Sequence, residues 1–213
     1  MGGERKSESH GEAGYARRPH DAYFTEPWVT RALLAAVDLG APGVARAHTV
    51  VWEPACGDGR MARPIEEAGY QVCASDIGDW GYGARHVDFL DPASATASDA
   101  LACIAIVTNP PFDQAVLFIG RALQLMQPVG GKVALLQRHE FDAPVSHHAL
   151  FAPPFAAKLV LPRRPTWSDE PETASPRFPY AWYLWDWRYR GPPVLRWLPD
   201  PDMPEEDAGG RLL

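Results

Sequence analysis

Apolar and polar positions change period repeatedly along the chain, and each change predicts an element. From Pro27 onward, WVTRALLAAVDLG places apolar residues at helical spacing, with Pro27 in the first turn and Thr25 as a candidate cap. TVVWEP (49–54) is a short apolar run read as a buried strand. The Gly-containing stretch ACGDGR follows, and RMARPIEEAG then reads as a helix ended by Gly69. QVCASD (71–76), HVDF (86–89) and CIAIVTN (103–109) predict three further strands, the last the most continuous and β-branched. FDQAVLFIGRALQLM (112–126) is an amphipathic helix closed by Pro128 and Gly130-Gly131. KVALLQR (132–138) predicts a fifth strand, PVSHHALFA (144–152) a short helix, AKLVLP (157–162) a sixth strand and AWYLWDWRY (181–189) a seventh.

Strands separated by helices predict an α/β fold: a mostly parallel, seven-stranded sheet with helices on both faces. Only a Pro-rich connection joins the last two strands, so they are expected to form a C-terminal antiparallel hairpin. Residues 1–20 have nothing from which to build a core and read as a disordered leader. The domain is expected over 21–198, followed by an acidic flexible tail over 199–213 (PDPDMPEEDAGGRLL).

Composition narrows the function classes. A chain of 213 residues fits one well-buried domain. It has no run of 18 apolar residues, so no spanning helix is expected. The polar N-terminus is not a secretory signal. Cys56, Cys73 and Cys103 form no CxxC or Cys/His spacing, so neither a zinc site nor a disulfide framework is expected, and a reducing cytoplasm is the expected compartment. The net charge of −7 speaks against a general nucleic-acid coat protein, but its distribution is uneven. Residues 22–137 carry −5, 138–199 carry +2 and 200–213 carry −4. The third segment suits a phosphate backbone and the tail does not.

Four motifs carry chemistry. In Val51-Trp52-Glu53-Pro54-Ala55-Cys56-Gly57-Asp58-Gly59-Arg60, a buried strand runs into a loop whose glycines allow close backbone approach to a ligand. This is not the GxGxxG fingerprint, and Glu53 suits a cationic or hydroxyl-bearing ligand better than a pyrophosphate. The stretch also reads as an ordinary strand-to-helix turn. Asp76 ends the second strand; alone it could as well cap a helix, but after the Gly loop it is placed to grip ribose hydroxyls. Asp88-Phe89 offers an acceptor for an exocyclic amine and a ring to pack on a purine, or a turn aspartate and a core phenylalanine. Thr108-Asn109-Pro110-Pro111-Phe112 is the sharpest signal. The prolines fix φ and remove donors, so the Asn109 side-chain oxygen and the Pro110 carbonyl can both accept from one NH₂ group, with Phe112 as a stacking face. The alternative is a proline-rich loop in which Asn109 is a turn residue.

In this order, Glu53-Pro54-Ala55-Cys56-Gly57-Asp58-Gly59, Asp76, Asp88-Phe89 and Asn109-Pro110-Pro111-Phe112 resemble the N6-adenine (amino-group) methyltransferases. These are class I S-adenosylmethionine-dependent enzymes of DNA with relatives acting on RNA. The resemblance covers about residues 21–190 and implies the Rossmann-like class I methyltransferase fold, in a phage-like stand-alone form. Asp21-Ala22-Tyr23-Phe24-Thr25-Glu26-Pro27 resembles the family's N-terminal cofactor segment, except that Glu26 separates Thr from Pro. The order of segments resembles the gamma arrangement of DNA amino-methyltransferases. Many such DNA enzymes carry a separate target-recognition domain, for which this chain is too short.

The resemblance implies S-adenosyl-L-methionine as cofactor, held by Tyr23, Thr25, Glu53, Pro54, Ala55, Cys56, Gly57, Gly59, Asp76, Ile77, Asp88, Phe89 and Asn109. It implies catalysis by Asn109, Pro110, Pro111 and Phe112 on the N6 amine of adenine, without a metal. DNA is the expected partner ahead of RNA, and no membrane is expected. Protein glutamine methyltransferases share NPP-type loops but usually place Tyr where Phe112 stands. A non-catalytic cofactor-binding subunit is the rival from another class, and the intact Asn109–Phe112 set argues against it.

For substrate contacts, the connection 162–180 carries Arg163, Arg164, Trp167 and Arg177, suited to phosphates and stacking. It also carries Asp169, Glu170 and Glu172, which fit a solvated loop. Arg138 follows the fifth strand on the side where α/β sheets bind ligands. His139, His147 and His148 read as surface residues. The alternating Trp182, Tyr183, Trp185, Trp187 and Tyr189 read as strand core and edge packing rather than a binding platform.

Overall fold

Pro27 starts the first helix, α1 (Pro27–Ala36), where its missing N–H costs no helical bond and its fixed φ suits the first turn. The cap position is Glu26, without a side-chain capping bond, so the expected capping role of Thr25 is corrected. The computed structural model describes residues 24–84, 86–93, 103–152, 154–166 and 178–202. The remaining elements are β1 (Val50–Glu53), α2 (Ala62–Glu67), β2 (Gln71–Ala74), β3 (Ala105–Thr108), α3 (Ala115–Met126), β4 (Lys132–Arg138), β5 (Phe155–Val160), β6 (Tyr180–Asp186) and β7 (Val194–Trp197). They build a seven-stranded sheet in the order β2-β1-β3-β4-β6-β5-β7. β6 alone runs against its neighbours, pairing antiparallel with both β4 and β5. The mostly parallel sheet with a late antiparallel pair is therefore present.

Two expectations about elements are corrected. HVDF (86–89) is not a strand: beyond β2 there is only an isolated bridge between Ser75 and Ala84. The backbone there is drawn into turns, with Asp88 Oδ1 accepting from the Leu90 N–H at 2.9 Å, and Phe89 is buried beneath it. The seventh strand is instead β7, which pairs parallel with β5. All of its residues are exposed, so it has no inside–outside alternation to betray it. The segment expected as a short helix at 144–152 is a 3-10 helix, Val145–Phe151.

The core has two layers. On one face Val51, Val107, Leu136 and Trp182 pack against Val29 and Leu33 of α1 and Ile65 of α2. On the other, Trp52, Ile106, Leu135 and Trp185 pack against Phe118 and Ile119 of α3. The aromatic run of β6 serves both layers, as alternation along a strand buried on both sides requires. Its indoles bury without stranded donors: Trp182 Nε1 donates to the Val29 carbonyl at 3.1 Å and Trp185 Nε1 to that of Leu150 at 2.8 Å. The expected leader lies outside the described residues, as does 203–213 of the expected tail. No described helix is long and apolar enough to cross a membrane.

Candidate active site

The sheet order makes a crevice. β1 leads to β2 on one side, and β3, adjacent to β1, leads to β4 on the other. Such a switch point opens outside the carboxyl ends of the strands and is where α/β sheets hold ligands. Glu53 ends β1 and Asn109 directly follows β3, so they flank it.

Glu53 is buried, and its Oε2 has no hydrogen-bond partner. Burial pushes its carboxyl well above the usual range, and Asp76 and Asp58 push the same way. A cation beside it (a protonated amine above all) favours the ionised form and supplies the missing partner. After Pro54 and Ala55 the loop closes through the Cys56 N–H, which donates to the Ser75 carbonyl at 3.0 Å, tying the loop to the end of β2. The Cys56 thiol is pushed up to about 12 by burial and by Glu53 and Asp76, so it stays a neutral thiol. Gly57 has φ +51, and a Cβ there would stand 2.6 Å from the Phe24 ring. Gly59 has φ +85, and a Cβ there would meet Tyr82 at 2.5 Å. Both positions are closed to side chains.

Asp76 binds the loop together. Its Oδ2 accepts from the Gly57 N–H at 2.9 Å, and its Oδ1 accepts from the Gly78 N–H at 2.8 Å and Trp80 Nε1 at 2.9 Å. A carboxylate has about four acceptor directions, so one remains for a ligand. Neighbouring Ile77 is 45% exposed. Nothing in the local sequence marks Trp80: four residues past Asp76, in a Gly-rich loop, it has no periodic context. Its ring also meets Phe24 edge-on at 5.4 Å.

Asn109 Nδ2 donates to Thr25 Oγ1 at 3.1 Å. The N-terminal segment and the Asn-Pro-Pro-Phe loop are thereby one site. Pro110 is buried, and the Pro111 carbonyl accepts from the Gln114 N–H at 3.0 Å, turning the chain into a short 3-10 helix, Phe112–Gln114. The half-buried Phe112 ring lies 6.1 Å from Tyr180 and 6.0 Å from the Arg138 guanidinium. Arg138 also covers Phe178 at 4.0 Å.

Phe89 sits in the core, edge-on to Trp52 at 5.3 Å and 4.9 Å from Phe118. Asp88 is half-buried, and its neighbour Val87 donates its N–H to the Asp76 carbonyl at 2.9 Å, which keeps Asp88 beside the Asp76 end of the crevice. Arg163 covers the Trp28 ring at 4.4 Å and pairs with Asp200 and Asp202. Arg164 is exposed. Glu26, the residue that separates Thr25 from Pro27, accepts from the Thr166 N–H at 2.6 Å and so anchors the start of the connection to β6. Tyr23 and Trp167 lie outside the described residues. Among the described residues no His/Cys/Asp/Glu group could hold a metal ion.

No family model and no curated protein matches the sequence. Solved structures match the fold. A protein described as a class I S-adenosylmethionine-dependent methyltransferase from Listeria monocytogenes aligns with TM-score 0.58 at 14% identity, over 84% of this chain and 66% of its own. A modification subunit of a type I restriction enzyme from Vibrio vulnificus aligns with TM-score 0.55 at 16% identity, over 85% of this chain and 48% of its own. A protein described as an O-methyltransferase from Agrobacterium tumefaciens aligns with TM-score 0.53 at 13% identity, over 81% and 85%. The chain thus spans less than two thirds of the first two proteins, and one fold serves neighbours of differing described chemistry. The fold of this chain is that of the class I methyltransferases.

Proposed function

We propose that this chain uses S-adenosylmethionine to methylate the N6 amine of adenine in DNA. The observation that carries the reading is the bond from Asn109 Nδ2 to Thr25 Oγ1. An amide that must accept from an incoming amine has to offer its oxygen. With its nitrogen donating to Thr25, the amide turns its oxygen to the other side, where an amine can donate to it.

The crevice residues fit the cofactor. The unpartnered Glu53 Oε2 matches its ammonium group, the last acceptor direction of Asp76 matches a ribose hydroxyl, and exposed Ile77 offers an apolar edge to its purine. The glycine loop provides a cradle without side chains. When bound, this cofactor supplies a methyl group on a sulfonium centre.

The chain's own groups act on the amine. Asn109 Oδ1 and the Pro110 carbonyl accept its hydrogens, which turns the nitrogen lone pair out of the ring plane. The same acceptors stabilise the positive charge that grows on nitrogen. The paired prolines hold the loop rigid and contribute no competing donor. Phe112, backed by Tyr180, is the face on which the base stacks. In a duplex the base flips out first, at a cost of about a few kcal/mol. Arg138, Arg163 and Arg164, with Trp167, are the proposed substrate contacts outside the pocket.

Asn109→Ala tests the reading. Turnover on an adenine-containing oligonucleotide is expected to fall by about 100-fold or more. The Kd for S-adenosylhomocysteine, read by calorimetry, is expected to stay within about threefold, because the change removes acceptance from substrate and not the cofactor grip. Equal loss of both contradicts the assigned role.

A further inference from the structure

The carboxyl edge of the sheet carries a pair of arginines, Arg31 and Arg163, joined by the carboxylate of Asp202. β5 and β7 run parallel, with Val160 opposite Trp197, so both leave the sheet at the edge where β3 meets Asn109. β5 exits toward Arg163. β7 exits through buried Leu198 to Asp200 and Asp202. Arg163 Nη1 lies 3.2 Å from Asp200 Oδ2, and its Nη2 donates to Asp202 Oδ2. The other oxygen of Asp202 lies 3.7 Å from Arg31 Nη2. One carboxylate therefore bridges two guanidinium groups, and one of these is held flat on the Trp28 ring at 4.4 Å.

Two guanidinium groups converging on one oxyanion are what a phosphodiester requires. The position suits the substrate as well. Trp28 and Arg31 lie on the helix that begins just after Thr25, the residue holding Asn109. At 1.5 Å per helical residue, Arg31 is about 6 Å along the axis from Pro27, where the helix begins. That is roughly the rise of two nucleotides of a duplex strand. The side chains of Arg31, Arg163 and Asp202 are each close to half exposed, at 44%, 43% and 45%, so an incoming anion can reach them.

We propose that Arg31 and Arg163 form a phosphodiester-binding site for the nucleic-acid substrate, which the carboxylates of Asp202 and Asp200 fill in the free chain. The inference rests on the nucleic-acid reading above. Binding exchanges anions: the phosphate enters, the two carboxylates turn to solvent, and the arginines keep their charge and their stacking. Substrate affinity is then set by competition with the chain's own acidic segment.

The test is fluorescence anisotropy of labelled DNA and RNA oligonucleotides with the full chain and S-adenosylhomocysteine, over a range of salt. Asp200→Asn/Asp202→Asn is expected to bind about five- to tenfold tighter at low salt. Arg31→Gln/Arg163→Gln is expected to bind about tenfold or more weaker, with a salt slope reduced by one to two. Glu66→Gln/Glu67→Gln makes the same charge change at the end of α2, which points to the opposite edge of the sheet because β2 begins just after it. This control is expected to stay within about twofold, separating a local effect from the general field. If the wild type binds and the aspartate variant binds no tighter than this control, the proposal falls and the contacts are only a structural tie. If neither wild type nor variants bind any oligonucleotide, the nucleic-acid reading falls and takes the proposal with it.

Discussion

The amide of Asn109 and the hydroxyl of Thr25 are 3.1 Å apart, although 84 residues separate them in the chain. The bond joins the segment leading into α1, which carries Thr25, to the loop leaving β3, which carries Asn109. Thr25→Val keeps the shape and removes the hydroxyl that accepts from the amide. Methyl transfer is expected to slow by about fivefold, since loss of one orienting hydrogen bond removes about 1 kcal/mol of positioning. Thermal stability is expected to change little. A kcat indistinguishable from wild type in steady-state kinetics contradicts the orienting role.

Asp76 holds three donors, and the proposed function assigns its remaining acceptor direction to the cofactor. Asp76→Ala strands the Gly57 and Gly78 N–H groups and Trp80 Nε1. Calorimetry with S-adenosylhomocysteine is expected to show affinity about tenfold or more weaker. Unfolding is expected to lose about 1–3 kcal/mol, the cost of leaving buried donors unsatisfied. Trp80→Phe removes only the indole donor and is expected to weaken binding less than Asp76→Ala. The opposite ranking refutes this account of the carboxylate.

Glu53 supplies a pH dependence. Its folded carboxyl titrates well above its unfolded value of 4.5, chiefly because burial penalises the ion. Between those two values the folded state binds more protons, so stability falls as pH rises through that window. A ligand ammonium favours the ionised carboxylate, so cofactor affinity rises with pH over the same window. Glu53→Gln is expected to flatten both profiles, melting higher than wild type above the window and binding the cofactor weakly at every pH. Parallel profiles for variant and wild type contradict the assignment.

Lys158 anchors the far half of the sheet. Its Nζ donates to both oxygens of Asp142 at 2.8 Å and to the His139 carbonyl at 2.6 Å, while Tyr183 donates to the same carbonyl at 2.8 Å. Burial is the largest influence on the Asp142 carboxyl and raises it, but the hydrogen bond and charge of Lys158, with the bonds from the backbone and Tyr183, together outweigh it and the net shift is downward. The pair's contribution is thus present above the usual aspartate range and lost as pH falls through the lowered value. Lys158→Met is expected to cost about 1–3 kcal/mol in denaturant unfolding at neutral pH. The difference should narrow in acid, and a constant difference down to low pH refutes the ion-pair account.

The parts of the fold legible in the sequence are those whose local pattern and tertiary role agree. β1, β3, β4 and β6 are continuous apolar runs because they are buried on both faces, and α3 shows its single apolar face. HVDF (86–89) misled because Phe89 is buried by packing on Trp52 and Phe118, not by strand pairing. β7 was hidden because an edge strand with four exposed residues carries no period. At the site, Glu53, Gly57, Asp76 and Asn109 could be picked out because each stands where a strand ends. The Asn109–Thr25 bond, the Trp80 donor and the Asp202 bridge between two arginines are contacts of the folded chain. No local pattern encodes them.

The most direct measurement is methyl transfer from labelled S-adenosylmethionine to matched duplex DNA, single-stranded DNA and structured RNA, with the modified nucleoside identified by mass spectrometry. Label in N6-methyladenine from DNA is the predicted result. Label only in RNA, or in a nucleoside other than N6-methyladenine, contradicts the proposed substrate, and no transfer to any of the three contradicts the proposed activity.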